Sequence, residues 1–158
     1  MTLSQLALAL ARVPSGLFVL TVTTDEGDNG MLASWVQQAG FEPPMISVAV
    51  AHGRPFDEAL SQGRPFAINI LGDEQQDLVR HFSRTSDIQA AMLDDLALSA
   101  SPAGVTVLAD ALAYLECLPR RHVDSGDHRV FLAEVTAGHL HASDRRPMVH
   151  LRKSGLHY

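Results

Sequence analysis

The sequence contains a single cysteine, Cys117, among its 158 residues. One cysteine allows no disulfide within the chain, and it suggests no cysteine metal site. Its neighbours in the run AYLECLPRR alternate in polarity as they do in a strand. A free thiol is compatible with a reducing compartment, so we expect a cytoplasmic protein.

Excess basic charge and long apolar runs are missing as well. The formal net charge is −6, so no general electrostatic attraction draws the chain to nucleic-acid phosphates or anionic lipid. No stretch approaches the ~18 consecutive apolar residues that a membrane-spanning helix requires. We therefore expect neither nucleic acid nor membrane as a partner.

Two glycine-rich nucleotide motifs are also missing. The chain has no G-x-G-x-x-G after a predicted strand and no G-x-x-x-x-G-K-[ST], which argues against a dinucleotide-binding α/β unit and a P-loop. Many short β-rich runs with tight turns favour an antiparallel barrel over a parallel sheet. The length and a hydrophobic content of 46% predict one domain over residues 1–158.

Most of the predicted elements are strands. A short helix is expected over 3–12, where Thr2 and Gln5 have the T-x-x-Q spacing of a capping box. The runs RPFDEALSQG and GDEQQDLVRHFSR predict two more helices. Residues 85–104 are expected to be partly ordered and to form a lid or arm. Strands are predicted over 17–24, 31–40, MISVAV, 65–71, ALAYLECLPRRHV and RVFLAEVTAGHLH, with a short last element near 148–150.

The run MLASWVQQAG carries small and polar side chains where a barrel wall would normally close. Ala33 would allow close approach, the Ser34 hydroxyl could bond a polar ring edge, and Trp35 offers a broad surface. A flat ligand could lie there against backbone N–H and C=O groups. An amphipathic strand with one solvent face explains Gln37 and Gln38 equally well, so the residues alone leave both interpretations open.

The run AHGRPF follows the predicted strand MISVAV and precedes a predicted helix. His52 and Arg54 therefore lie beside N–H groups at a helix start, an arrangement that can bind an anion. The planar fork of arginine suits a phosphate because it can donate two parallel hydrogen bonds. On the residues alone, a surface arginine beside a turn is the favoured interpretation, and an anion site is the alternative.

Several histidines are candidates for chemistry. His128 follows a turn and could face the mouth of a cleft. His139 and His141 point to one face of a strand, which permits metal ligation, but no third ligand is evident and we predict no metal site. His81 and Phe82 are expected to form a helix end packed on the barrel.

Together these stretches resemble the flavin reductase-like family, the FMN-binding split barrels. The run MLASWVQQAGFEPP is particularly similar to the reductase domain fused to the C-terminus of cyanobacterial diflavin flavoproteins. The resemblance implies a mainly β fold, an antiparallel Greek-key split β-barrel with a few short helices, as a single FMN-binding domain over 1–158. The matching runs, in the family's order, are RVPSGLFVLTVTT, NGMLASWVQQAGFEPPMISVAV, GRPFAINIL, LVRHFSR, ALAYLEC, GDHRVFLAEV and the final Tyr158.

The resemblance also implies roles for particular residues. His128 would lie at the nicotinamide or at the flavin edge. The residues implied at the flavin ring are Met31, Leu32, Ala33, Ser34 and Trp35. Those implied at the ribityl phosphate are Ala51, His52, Arg54 and Phe56. Those implied to close on the cofactor, commonly from across a dimer interface, are His81, Phe82 and Arg84.

The chain departs from the family pattern in two respects. Trp35 stands where many relatives carry a second serine or threonine, and it would restrict the ring face that NAD(P)H must approach. His52 and Arg54 stand near the phosphate, where lysine or threonine is frequent in the family. The implied contacts to the flavin ring therefore follow the family pattern more closely than the implied contacts to the phosphate.

The function implied is that of an NAD(P)H-dependent flavin oxidoreductase. Hydride would pass from the nicotinamide to FMN, or to FAD, with Ser34 tuning the flavin and His128 positioning the nicotinamide as the two catalytic residues. A homodimer is expected, with a redox partner protein or a monooxygenase as the acceptor. Two alternatives stay open: an FMN electron carrier without NAD(P)H turnover, and a non-enzymatic split-barrel dimer.

Overall fold

The structure is a computed structural model that describes residues 2–83 and 93–157. Its helices within these ranges are α1 (Gln5–Leu10), α2 (Pro55–Ser61) and α3 (Gln76–Phe82). The strands of the same ranges are β1 (Ser15–Gly16), β2 (Phe18–Thr24), β3 (Gly27–Ala33), β4 (Val36–Phe41), β5 (Pro44–Ala51), β6 (Phe66–Ile70), β7 (Leu98–Ala100), β8 (Thr106–Leu108), β9 (Ala113–Ser125), β10 (His128–Leu140) and β11 (Val149–His150).

Seven of these strands form one antiparallel sheet in the order β3-β2-β6-β9-β10-β5-β4. The two edge strands, β3 and β4, follow each other directly in the chain, so the sheet curls until its edges meet at the residues that connect them. This arrangement is the antiparallel split barrel that the sequence predicted. Two small sheets lie outside it, one of β1 with β11 and one of β7 with β8.

The interior of the barrel follows from the alternation of side chains along each strand. On β5, Ile46, Val48 and Val50 are buried, while the residues between them are only partly covered. Helix α2 closes one end, because the side chains of Phe56 and Leu60 are fully buried in the same cluster. Burial of this kind stabilises a fold by about 25 cal/mol for each Å² of apolar surface removed from water.

A second apolar cluster lies on the outer face of β2 and β3, where α3 packs. Phe82 from α3 and Leu93 meet Val19 there. Gly30 on β3 makes this approach feasible, because a Cβ at Gly30 would lie 3.0 Å from the Phe82 ring and 3.1 Å from Leu93 Cδ2. The prediction of a helix end packed on the barrel is therefore confirmed for Phe82.

Buried polar side chains hold the outer hairpin of β7 and β8 to the barrel. The amide of Asn69 donates to the Val19 carbonyl at 2.9 Å and accepts from the Leu108 N–H at 2.8 Å. Glu116 accepts from the Ala103 N–H and from the Thr136 hydroxyl, each at 2.8 Å. These bonds satisfy polar groups whose burial would otherwise be costly.

Three sequence predictions need correction or limitation. The single strand expected over 31–40 is wrong, because the chain breaks at Ser34 and changes from one sheet edge to the other. The capping box is also wrong, since the α1 N-cap is Ser4, whose hydroxyl accepts from the Ala7 N–H at 3.1 Å. Of the lid expected over 85–104, residues 85–92 lie outside the described part of the chain, and the remainder contains β7.

Across the described ranges, the structure contains no helix that is both long and apolar enough to span a lipid bilayer.

Candidate functional site

The site is centred on the two residues that connect β3 to β4. Ala33 still pairs with Phe18 on β2, whereas Val36 already pairs with Val48 on β5. Between them, the Trp35 carbonyl accepts from the Ala49 N–H at 3.0 Å. Ser34 is half-buried, and its hydroxyl makes no hydrogen bond to any residue that the structure describes. The junction therefore presents a polar group beside a wide aromatic ring.

The start of β10 brings His128 to this junction. Its imidazole packs against the indole of Trp35, with ring centroids 4.7 Å apart and planes inclined at 52°. His128 pairs with Ala51 across the sheet and is only 8% exposed. The tight turn before it depends on Gly126, whose φ of +61° lies in the left-handed region that favours glycine.

Asp127 fixes the imidazole from its other side. The His128 Nδ1 lies 2.7 Å from Asp127 Oδ1 and donates to it. This hydrogen bond, with a further electrostatic contribution from His128, lowers the pKa of the Asp127 carboxyl. The backbone carbonyl of Asp127 also accepts from the His52 N–H at 3.0 Å. The β9–β10 turn and the loop after β5 are thus tied together.

Two carboxylates, Asp57 and Asp124, lie beside residues 52–54, the loop that was predicted to bind a phosphate. Asp57 accepts from the Gly53 N–H at 3.2 Å and from Arg129 at 2.9 Å. The His52 ring lies 3.8 Å from Asp57 and 4.0 Å from Asp124. Asp57 therefore already binds an N–H of the loop just before α2, which leaves fewer donors of this loop to an outside anion.

The remaining residues that were predicted to bind the phosphate differ in whether their side chains can reach an anion. Arg54 is exposed, and no carboxylate of the described residues lies within 4.0 Å of its guanidinium. Ala51 is half-buried beside His128. The Phe56 side chain is 0% exposed in the barrel core, so only its backbone can face a ligand. Arg54 is the member of this set whose side chain is best placed to bind an anion.

The predicted ring-contacting residues of β3 alternate between the two clusters. Met31 and Ala33 pack on the main core, and Leu32 packs on the second one. Since their side chains are used in packing, a ligand at this strand would meet backbone more than side chain. His81 lies at the end of α3 with its ring 5.0 Å from that of Phe82, whereas Arg84 lies outside the described residues.

The paired histidines near the end of β10 form a separate surface cluster. The rings of His139 and His141 lie 4.8 Å apart, with Tyr114 beside both. No group of three metal-ligating side chains occurs among residues 2–83 and 93–157. This cluster takes no part in the site at the junction.

One residue of the site carried no sequence signal. The guanidinium carbon of Arg152 lies 5.0 Å from the centre of the Trp35 ring and above it. Arg152 belongs to an irregular segment at the end of the chain, and nothing in the run LRKSG indicates where it folds. Only the three-dimensional structure brings this cation to the junction.

A cavity of about 240 Å³ lies beside the junction, because its wall includes Val36, which follows Trp35, and Phe18, which pairs with Ala33. Its volume is below the roughly 300–1,000 Å³ typical of sites that enclose a small ligand. Gln37 and Gln38 of β4 lie at this cavity and not beside His128. Its wall consists of Gly16, Phe18, Val36, Gln37, Gln38, Ile46, Ile68, Ile70 and Leu115.

The sheet order and the junction define a split β-barrel with its polar groups gathered at the split. The family model described as "Flavin reductase like domain" matches residues 10–155, and the chain belongs to this family. The resemblance drawn from the sequence is therefore confirmed.

Known relatives agree with this assignment. The chain is 35% identical over 156 residues to diflavin flavoprotein A 1 of Synechocystis, a match that covers 98% of this chain and 27% of that protein. It thus spans about a quarter of the length of the curated relatives it matches.

Among solved structures, the NADH:FAD oxidoreductase SgcE6 of Streptomyces globisporus has a TM-score of 0.80 at 26% identity, covering 94% of this chain and 81% of that one. The styrene monooxygenase flavin reductase of Pseudomonas putida S12 has a TM-score of 0.78 at 29% identity, covering 91% and 90%. The fold class predicted from the sequence is confirmed by these neighbours.

Proposed function

We propose that the chain is a flavin reductase in which NAD(P)H reduces FMN, or FAD, for a downstream acceptor. Family membership supports flavin as the ligand. The Streptomyces oxidoreductase, also solved with NAD and FAD fragments, supports a nicotinamide donor. The observation that carries the proposal is the arrangement at the junction between β3 and β4. There Ser34 lies next to Trp35, and His128 packs against the Trp35 ring.

The residues at the junction fit a flavin in three respects. Edge strands such as β3 and β4 have backbone N–H and C=O groups on one side that no neighbouring strand uses, and a flat ring can bind to them. The Ser34 hydroxyl has no partner among the described residues and can bond a polar ring edge. The exposed guanidinium of Arg54 can bind a phosphate.

A bound flavin supplies the hydride chemistry itself, by accepting hydride at N5 from the nicotinamide C4. The protein has only to orient the two rings and keep them close. Ser34 would hydrogen-bond the flavin edge from the junction. His128 is held on one side by Asp127 and on the other by Trp35, so it would orient the nicotinamide without moving. No side chain has to remove a proton from carbon.

We also propose a homodimer that passes electrons to a partner protein. The cavity beside the junction is too small to enclose a flavin, so a second copy of the chain would complete the site over the junction. The reductase of Pseudomonas putida that resembles this chain is named for a styrene monooxygenase. A monooxygenase or another redox protein is therefore the class of acceptor that we propose.

An FMN electron carrier without NAD(P)H turnover is the second candidate, and one observation favours it. The Trp35 indole covers His128 at the position where the nicotinamide would be oriented. A carrier would be reduced slowly by NADH and NADPH but quickly by a redox protein. A reductase would show the opposite order of rates.

Replacing Ser34 tests the proposed ring contact. We expect Ser34→Ala to weaken FMN binding by about 2- to 13-fold, the effect of one lost hydrogen bond, and to slow NADH oxidation. Ser99→Ala is the matched control, because Ser99 is exposed on β7, away from the junction. Unchanged FMN affinity and an unchanged rate of reduction in Ser34→Ala would remove Ser34 from the site.

A further inference from the structure

We propose that Arg152 recognises a phosphate group of the nucleotide ligand at the Trp35–His128 contact. The phosphate would belong either to the flavin or to the nicotinamide dinucleotide, and both present the same chemistry to a guanidinium. This inference rests on the proposed function, because it assumes that a flavin and a nicotinamide bind at the junction.

The cation–π contact holds the Arg152 guanidinium over Trp35, with its carbon 5.0 Å from the ring centre. This contact uses none of the N–H donors of the guanidinium in a conventional hydrogen bond, so they remain for other partners. Arg152 makes no hydrogen bond to the described residues, and none of their carboxylates lies within 4.0 Å of it. The guanidinium is therefore held over Trp35, and its donors are available to a ligand.

Two attachments hold the segment that carries Arg152. Before it, β11 pairs with β1 through Val149 and Gly16. After it, the Gly155 N–H donates to the Ala7 carbonyl at 2.9 Å. Gly155 lies so close to α1 that a Cβ there would be 2.1 Å from Leu10 Cβ. Arg152 is thus held between two fixed points, and its position is set by the fold.

The local charges favour an anion at Arg152. Asp57 and Asp124 lie on the α2 side of the site, where Arg129 binds both. Arg152 reaches the junction from the opposite end of the chain, with no acid to neutralise it among the described residues. A bidentate bond to a phosphate or pyrophosphate is the strongest interaction open to such a group.

The test compares Arg152→Gln with Lys153→Gln, which removes the same charge from the next, exposed residue. Two pairs of ligands distinguish whether Arg152 binds the phosphate of the flavin or that of the nicotinamide dinucleotide. The affinity for FMN is compared with that for riboflavin, and the KM for NADH with that for 1-benzyl-1,4-dihydronicotinamide, which has no phosphate. We expect Arg152→Gln to weaken the phosphorylated member of one pair by about 10- to 100-fold and to leave its phosphate-free partner within about twofold.

A loss confined to FMN would assign the flavin phosphate, and a loss confined to NADH would assign the dinucleotide. Equal values for wild type and Arg152→Gln in both pairs would overturn the inference while the proposed function stands. Failure of the wild type to bind any flavin would instead overturn both.

A second variant alters the position of Arg152 without removing it. Gly155→Ala should displace the segment from α1 and reproduce the ligand effects of Arg152→Gln. Trp35 is the only tryptophan in the chain, so its fluorescence reports the stacking directly. Emission that changes in Arg152→Gln and Gly155→Ala but not in Lys153→Gln is expected. Emission that is identical in all three would show that the stacking is not formed.

Discussion

The imidazole of His128 packs against the indole of Trp35 at a centroid distance of 4.7 Å. His128 begins β10, whereas Trp35 lies at the junction between the two edge strands, so this contact ties the β9–β10 turn to the junction. His128 is also hydrogen-bonded to Asp127. A group held from two sides is well suited to orient a ligand, because binding does not have to order it.

His128→Ala should therefore impair the use of NADH more than the binding of flavin. We expect the KM for NADH to rise by about tenfold, the effect of losing one hydrogen bond to the ligand, with FMN affinity changed by less than about threefold. Steady-state kinetics and an FMN titration measure the two quantities. His141→Ala is the control, since His141 belongs to the separate cluster with His139. A loss of FMN binding as large as the loss for NADH would contradict the assigned role.

Two phenylalanines test the assignment of the barrel core. Phe131 is 0% exposed and Phe41 is 90% exposed. Phe131→Ala should lower the free energy of unfolding by about 3–5 kcal/mol, because it leaves a cavity in the close-packed interior. Phe41→Ala should change it by less than about 0.5 kcal/mol. Denaturant unfolding of both variants checks this, and similar effects of the two substitutions would mean that the core is wrongly placed.

Glu116 predicts a pH dependence of stability. Burial alone would raise the pKa of this carboxyl, but the hydrogen bonds from Ser101, the Ala103 N–H and Thr136 outweigh it and lower the pKa below its ordinary 4.5. The folded state therefore takes up this proton less readily than the unfolded state. The stabilisation is fully present above the unfolded pKa and is lost as the pH falls through the lower folded pKa.

The free energy of unfolding of the wild type should thus fall more than that of Glu116→Gln between roughly pH 5 and pH 3. Glu26→Gln, at an exposed position, should follow the wild type. Denaturant titrations at a series of pH values measure the difference. Parallel curves for the wild type and Glu116→Gln would show that the Glu116 hydrogen bonds do not stabilise the fold.

The Cys117 thiol should react only slowly in the native protein. Burial, with a smaller contribution from the negative charge of Glu116, raises the pKa of its thiol to about 12, and the thiolate is the reactive form. At about pH 8, we expect 5,5′-dithiobis(2-nitrobenzoic acid) to react slowly with the native protein and quickly in guanidinium chloride. Ser99→Cys, which adds an exposed thiol, should show one fast reacting group. Fast labelling of native wild type would contradict the buried position.

The strands could be predicted from the sequence because alternation is a local signal. The runs 17–24 and 65–71 became β2 and β6 with small changes of boundary. The break after Ala33 could not be predicted, since the residues on both sides remain extended and only their partners change. Pairing with β2 or with β5 depends on the whole sheet and not on the local run.

The candidate site shows the same limit. The resemblance brought Ser34, Trp35 and His128 forward, and the structure places Trp35 against His128. The resemblance could not indicate that the Phe56 side chain fills the core. The way α2 packs on the barrel determines which of its side chains are buried. Arg152 was missed altogether, since its proximity to Trp35 arises from the folding of the last segment across the site.

The central claim is that NAD(P)H reduces a flavin bound at the junction. The most direct measurement is the visible absorbance of the protein mixed with FMN, recorded before and after anaerobic addition of NADH and, separately, NADPH. We predict that FMN binds, that at least one donor bleaches the flavin band, and that His128→Ala slows the bleaching. Bound FMN that neither donor bleaches would contradict the reductase and favour the electron carrier. An absence of any bound or reducible flavin would contradict both.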